Sequence, residues 1–234
     1  HVYQNKILFF GVPHHSARSY WLKLLKLGYK VAFADQVEDP KLAKGIVKRE
    51  VTRVITPGTI DELEGLEADA SNFVLGVYED PEAHMWAVLA CEVSTGELRL
   101  GQVRSVDEVI EAVYRFQPKE IFCRKFFQST LQSCLKDFLV HRPETIFNHL
   151  PVGALRDEKL QQTWLQKISG KSDLSELPCG NVVGGGALVA ALMEYLKDLA
   201  FKLDQFLTIR PLFTPDVMQI DEIARRDLEI FETA

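Results

Sequence analysis

The sequence has 234 residues, of which 47% are hydrophobic and 26% are charged, a globular composition that argues against long disordered segments. No apolar run approaches the roughly 20 residues of a transmembrane helix, so a membrane protein is excluded. Four cysteines lie far apart without a CxxC pair, which indicates a reduced compartment and argues against a disulfide scaffold or a zinc site. Because the opening HVYQNKILFF lacks Met and the features of a signal peptide, we expect the sequence to begin within a longer protein.

The net charge of -6 is unevenly distributed along the chain. Residues 1–59 carry ten Lys or Arg and four Asp or Glu, whereas residues 60–234 carry 17 and 29. A basic part joined to an acidic part predicts that only the first part meets a polyanion. A chance imbalance on a solvated surface is the alternative, and charge alone leaves both open.

The elements predicted before residue 60 alternate between strands and helices, which is typical of a small mixed α/β lobe. They are a strand in 7–12, a helix in 16–27 capped by Ser16 and ended by Gly28, a strand in 30–35, a short helix between Asp39 and Gly45, and a strand in 47–56. The acidic segment 60–70 predicts a domain boundary.

A different rhythm follows the boundary. Three strands with short connections predict an antiparallel meander, and helices and strands then alternate. The predicted elements are strands in 73–79, 85–93 and 96–103, a helix in 106–117, a strand in 120–124, a helix in 126–137, a strand in 138–141 and a helix in 187–200. This is the order of a ribonuclease H-like fold, so we expect a domain of that class over 71–216 and the start of a further domain at 217–234.

The motifs that could support enzyme chemistry are weak. Gly184-Gly185-Gly186 precedes a helix, but no Lys follows as a P-loop requires, so a loop entering a helix is the favoured interpretation. A nuclease of the ribonuclease H-like class needs several carboxylates that share metal ions. The predicted strands offer only Glu92, Glu97 and Glu120, each near a strand end. We therefore predict no metal site.

Basic residues follow the Asp39-Pro40 turn and continue along the next strand: Lys41, Lys44, Lys48, Arg49 and Arg53. Regular alternation puts Arg49 and Arg53 on one face, about 13 Å apart, a spacing that suits two phosphates of a duplex. A solvated strand face is the alternative, which the neighbouring aromatics Phe9 and Phe10 weaken because they could stack or wedge against bases.

The segment GVPHHSARSYWLKLLKLGYKVAFADQVEDPKLAKGIVKREVTRVITPGT closely resembles the bacterial MutS mismatch-repair family. The matching pieces are GVP-x-H, LGYKVA, QVEDPKLAKG and KREV-x-RV-x-TPGT. Farther on, CEVSTGEL resembles the family's connector domain, ALVAALMEYLKDLA its long helix, and DEIARRDLEI the opening of its core and lever domain.

This resemblance implies that residues 1–70 are the later part of a mismatch-recognition domain, 71–216 the connector domain, and 217–234 the start of the core. It implies duplex DNA with a mismatch or small loop as partner, with Arg53 on the DNA backbone and Phe9 close to the mismatch. Arg49 and Lys48 of the basic cluster are the other candidate DNA contacts. The family's Phe-x-Glu reader does not occur in 1–59.

The resemblance also implies a MutL partner that docks on the connector, where Gln161 and Gln162 are the expected surface. ATP and Mg²⁺ binding and homodimer formation are expected only of the full-length protein, in the bacterial cytoplasm at the nucleoid. No cofactor and no enzymatic activity are expected of this chain.

Two hypotheses of different classes follow, and a scaffold fragment without DNA affinity is a third alternative. The first is a DNA-binding and coupling part of a mismatch-repair ATPase. The second is a ribonuclease H-like nuclease or nucleotide-binding enzyme with a basic accessory lobe. A metal-binding carboxylate cluster within 71–216 would distinguish the second from the first.

Overall fold

The structure, a computed structural model, describes residues 11–12, 14–38, 47–59, 72–80, 84–201, 203–206 and 208–213. Within these ranges the chain forms a two-stranded and a six-stranded sheet with several helices, which confirms the predicted α/β class. The helix predicted in 39–45, the boundary at 60–70 and the segment 217–234 lie outside the described residues.

Residues 14–38 and 47–59 form a unit that we call the small lobe. It contains helix α1 (His14–Lys26) and the antiparallel strands β1 (Val31–Gln36) and β2 (Arg49–Ile55). The helix begins two residues before the predicted cap at Ser16. It ends as predicted at Gly28, whose φ of 80° is left-handed, and the Tyr29 amide donates to the carbonyl oxygen of Leu24 at 3.0 Å. This pattern is a Schellman motif, in which glycine avoids Cβ strain.

One face of α1 packs on the two strands. Trp21 and Leu25 are buried together with Ile55 of β2. The rings of Trp21 and Phe33 of β1 form a T-shaped pair whose centroids are 6.1 Å apart. Tyr20, Leu24 and Leu27, which recur at helical spacing in the sequence, are instead exposed.

The larger sheet has the order β7-β6-β3-β4-β5-β8. Strands β3, β4 and β5 form the predicted antiparallel meander, β6 runs parallel to β3, β7 parallel to β6, and β8 parallel to β5. From β5 to β7 this is the ribonuclease H-like order that the sequence predicted. The bounds are β3 (Phe73–Asp80), β4 (Met85–Glu92), β5 (Glu97–Val103), β6 (Glu120–Cys123), β7 (Ile146–His149) and β8 (Ile209–Pro211).

Helices cover both faces of this sheet and build two cores. One face carries α2 (Val106–Phe116), α3 (Lys125–Cys134) and α4 (Lys136–His141), and the other carries α5 (Val152–Arg156), α6 (Glu158–Ser169) and α7 (Gly185–Asp198). Helix α7 buries nine of its residues, and its Leu188 packs so closely on Gly76 of β3 that an added Cβ there would lie 2.8 Å from Leu188 Cδ1. Across the described residues, the helices lack the combined length and apolarity that spanning a membrane requires.

The strand predicted in 138–141 is wrong, because these residues form helix α4. Leu131, Leu135 and Phe138 recur at helical spacing and are all buried in the same core, so packing favours a helix. The strand that pairs with β6 on the side away from β3 is β7, which four residues separate from α4. Strand β8, which carries Pro211 at the sheet edge, was not predicted.

Candidate nucleic-acid interface

The basic side chains of β2 are placed by an irregularity in its pairing with β1. Arg53 lies opposite Phe33 and Arg49 opposite Gln36, and the register shifts by one residue between Phe33 and Ala34. The shift leaves Thr52 as an extra residue of β2, which is a β-bulge. The Thr52 hydroxyl donates to Asp35 Oδ2 at 2.6 Å.

The prediction that Arg49 and Arg53 share one face is therefore wrong. Phe33 and Gln36 are three residues apart on a regular strand, so their side chains point to opposite faces of the sheet. Directly opposed residues of an antiparallel pair have their side chains on the same face, so Arg53 lies on the face of Phe33 and Arg49 on the face of Gln36. The sequence could not show this, because an extra residue in one strand is invisible in the alternation of that strand alone.

Arg53 rests on an aromatic ring. Its guanidinium carbon lies 4.9 Å from the centroid of Phe33, and the Phe33 ring makes a T-shaped contact with Trp21 of α1. A guanidinium over an aromatic face is attracted by the ring quadrupole, and its orientation is restricted. Arg53 itself is exposed. The sequence did not identify Phe33 as the support of this side chain, although both residues lie in the predicted strands.

Lys48 is held by local contacts. Its Nζ lies 2.5 Å from Glu50 Oε1, and its backbone amide donates to Glu38 Oε1 at 2.6 Å. The ion pair lowers the net positive charge at this end of β2. Lys41, Lys44 and Phe9 lie outside the described residues.

The turn after β2 is buried and fastened to the six-stranded sheet. Thr56 and Thr59 are 0% and 3% exposed, and the Thr56 amide donates to Thr59 Oγ1 at 2.9 Å. The Gly58 amide donates to Glu120 Oε1 at 2.9 Å, and the Gly58 carbonyl oxygen accepts from Asn72 Nδ2 at 3.0 Å. The end of β2 that carries Arg53 is thereby tied to the first residue of β6.

Glu120 is fully buried at this junction. From the sequence alone, it is only a candidate carboxylate for metal binding. Burial raises its pKa above the ordinary value, and the hydrogen bonds from Thr56, Gly58 and Tyr195 and the nearby charge of Lys30 oppose that rise. The same burial, and the carboxylate beside it, raise the pKa of Tyr195.

The other two candidate carboxylates also serve structural contacts. Glu92 Oε1 accepts from the Asn72 amide at 2.8 Å, and its Oε2 accepts from the amide and hydroxyl of Thr95 and from Ser94 Oγ at 2.7–2.8 Å. Glu97 pairs with Arg99 at 2.8 Å. Among the residues that the structure describes, no three His, Cys, Asp or Glu side chains come close enough to hold a metal ion.

Packing explains the glycine run before α7. Gly184 has a left-handed φ of 74°, and an added Cβ would collide with the ring of Tyr78. A Cβ on Gly185 would lie 2.9 Å from Leu100 Cδ2. Close contact with the sheet thus requires small residues where the chain enters α7.

Gln161 and Gln162 lie in α6. Gln161 is half-buried, and its amide donates to the Leu155 carbonyl oxygen at 3.3 Å, whereas Gln162 is exposed. Of the pair, Gln162 has the greater access to a partner, and their role in binding stays a prediction.

Comparison with known proteins connects this geometry to a family. Residues 1–64 match the family model described as MutS domain I. The chain is 33% identical over 225 residues to the DNA mismatch repair protein MutS of Lachnoclostridium phytofermentans, which covers 95% of the chain and 24% of that protein. It is 32% identical over 235 residues to the MutS of Syntrophomonas wolfei, covering 98% and 26%. A shorter match, 44% over 117 residues, to the MutS of Fervidobacterium nodosum covers 50% and 14%. The chain thus spans about a quarter of the length of the first two curated relatives.

Proposed function

The chain belongs to the MutS family, and from this premise we propose that it serves in DNA mismatch repair and contacts the backbone of duplex DNA through its small lobe. The observation that carries the proposal is the match to MutS domain I over the residues that form this lobe. Arg53 supports it, because an exposed guanidinium on a braced strand can meet a phosphate without first becoming ordered.

Contacts with phosphates orient a protein on the duplex but do not read its sequence. The Arg53 guanidinium carbon lies 4.9 Å from the centroid of the Phe33 ring, and a guanidinium group has the planar donor geometry that suits phosphate oxygens. In this proposal β2 aligns the duplex, which carries a mismatch or small loop, and discrimination of the mispaired base comes from other residues.

The six-stranded sheet and its helices would then couple DNA binding to the rest of the protein. We propose that MutL docks on α6 around Gln162 and Gln161, and that the whole protein is a homodimer that binds ATP and Mg²⁺ and acts at the nucleoid in the bacterial cytoplasm. In this proposal, the binding of ATP and Mg²⁺ and the formation of the homodimer are not assigned to the described part of this chain.

The test titrates the chain with matched and single-mismatch duplexes of equal length between 50 and 200 mM salt, a range over which about six phosphate contacts change affinity about 10³-fold. We expect weak binding that falls with salt and does not distinguish the two duplexes. A tenfold preference for the mismatch would contradict the assignment of discrimination to other residues. An affinity that does not change with salt concentration would contradict contacts with phosphates.

Assays of ATP hydrolysis and of cleavage of labelled nucleic acid distinguish this proposal from the enzyme hypothesis. We expect neither phosphate release nor nicking above the buffer control, with Mn²⁺ or Mg²⁺ present. Activity that stays with the chain through repeated purification, at constant specific activity, would support the nuclease or nucleotide-binding enzyme instead.

A further inference from the structure

A buried carboxylate joins the small lobe to the six-stranded sheet. Glu120 begins β6 and is 0% exposed. Its Oε1 accepts from the Gly58 amide at 2.9 Å, and its Oε2 accepts from Asn148 Nδ2 at 2.8 Å and from the Tyr195 hydroxyl at 3.0 Å. The Glu120 side chain thus forms hydrogen bonds with the turn after β2, with strand β7 and with helix α7.

A second group of the lobe reaches the same place. Lys30, directly before β1, donates from Nζ to Asn148 Oδ1 at 2.7 Å, and its Nζ lies 3.4 Å from the Tyr195 hydroxyl. Its ammonium also lies 5.3 Å from the centroid of the Tyr195 ring. The lobe therefore brings a positive charge toward the buried carboxylate, which offsets part of the cost of its burial.

The backbone at Gly58 fits the sheet so closely that only glycine is accommodated. A Cβ there would lie 2.7 Å from Val74 Cγ2 and 2.9 Å from Glu120 Cγ. Asn72 Nδ2 holds the carbonyl oxygen of the same residue. Both polar groups of Gly58 are thus occupied by residues of the sheet or its entry, which restricts the turn in two directions.

This anchor lies close to the proposed DNA contact. Arg53 precedes Gly58 by five residues, and the intervening chain is the paired end of strand β2 followed by the buried threonine turn. Because neither segment can bend without breaking hydrogen bonds, the position of Arg53 follows that of Gly58.

We propose that Glu120 is the positioning residue that holds the small lobe, and with it Arg53, at a defined place on the six-stranded sheet. The part of this inference that concerns DNA rests on the proposed function. The part that concerns the attachment of the lobe does not.

Hydrogen exchange in the whole chain tests the attachment directly. In Glu120→Ala the Gly58 amide loses its hydrogen-bond acceptor, so its exchange is expected to accelerate at least about tenfold. Glu120→Gln keeps an acceptor, so the exchange rate of its Gly58 amide should lie between the rates of Glu120→Ala and of the wild type. Glu194→Gln is the matched control, since Glu194 precedes Tyr195 in α7 but binds Trp164 and Lys197, and it should leave exchange at Gly58 unchanged.

A distance measurement gives an independent readout. Labels at Cys134, exposed on α3, and at Val51→Cys, 63% exposed on β2, report the separation of sheet and lobe, with Cys179→Ser removing the partly buried thiol. We expect the distance distribution to broaden in Glu120→Ala and not in Glu194→Gln. A folded Glu120→Ala with unchanged distances and unchanged Gly58 exchange would overturn the proposal.

If Glu120→Ala does not fold, Tyr195→Phe takes its place, because it removes one donor to the carboxylate and leaves the ring. The same changes are expected in smaller degree, and their absence in a folded Tyr195→Phe together with Glu120→Gln counts against the proposal.

DNA titrations complete the design. A loosened lobe should bind duplex more weakly with an unchanged salt slope, because no phosphate contact is removed. A reduced slope would contradict a positioning role. If the wild type binds no DNA, the proposed function fails, whereas the exchange and distance results still decide the attachment.

Discussion

Replacing Arg53 by Ala separates a DNA contact from a structural role. If its guanidinium binds one phosphate, its loss lowers the slope of log affinity against log salt by about 0.9. Release of about 0.9 counterion at 0.15 M salt corresponds to about fivefold in affinity. The loss should be equal for matched and mismatched duplexes, because a phosphate contact carries no base information.

The structure also sets the stability cost of this substitution. The guanidinium of Arg53 is exposed and stacks on Phe33 at 4.9 Å, an interaction that stabilises by about 0.5–1 kcal/mol. Arg53→Lys keeps the charge and loses the contact of the guanidinium with the Phe33 ring. It should therefore retain most of the salt slope while losing part of the stability.

Arg49→Ala is the matched control, because the bulge at Thr52 puts Arg49 on the other face of the strand pair. A duplex lying against the Arg53 face should bind this variant as it binds the wild type. Fluorescence anisotropy at several salt concentrations and thermal unfolding are measured on all variants. An unchanged affinity and slope in Arg53→Ala would refute the contact. Equal losses in Arg49→Ala and Arg53→Ala would refute the assignment to opposite faces.

Three further predictions concern stability. Because burial raises the folded-state pKa of Glu120, the native protein binds more protons than the unfolded chain above about pH 4.5, and its stability falls as pH rises through that range. The free energy of unfolding of Glu120→Gln, taken relative to that of the wild type, should therefore rise with pH above about 4.5 in urea titrations, and a pH-independent difference would contradict the raised pKa. Gly58→Ala should lower the free energy of unfolding by about 1–3 kcal/mol, whereas Gly153→Ala, with open space around its Cβ, should leave it unchanged or raise it by up to about 1 kcal/mol in calorimetry. Leu188→Ala should cost about 2–5 kcal/mol in denaturant titrations, and a loss below about 1 kcal/mol would show that the contact with Gly76 is loosely packed.

The sequence predicted the parts of the fold that depend on local patterns. The meander of β3 to β5 has short turns and apolar runs of strand length, and α7 has an unbroken apolar run from Gly185 to Met193. The α4 region misled because Phe138, Leu139 and Val140 favour strands locally, while burial of Phe138 beside Leu131 and Leu135 favours a helix.

The candidate site was less accessible to prediction, since its geometry depends on partners distant in the chain. Arg53 was identified by resemblance, but its support on Phe33 and its separation from Arg49 depend on the register of two strands. Glu120 stands at the start of a strand in the sequence, and only the pairing of β6 with β3 brings it to Gly58.

The parallel pairing of β6 with β3 also orders the events of folding. Val74 and Glu120 are register partners although 46 positions separate them, so their pairing requires closure of a long loop that includes β4, β5 and α2. Loop closure of this kind is slow compared with the formation of α1 or of the β1–β2 hairpin. We therefore expect the small lobe to acquire its own structure early and to reach its buried acceptor only after the β3–β6 ladder has closed, so that attachment of the lobe is a late step in folding.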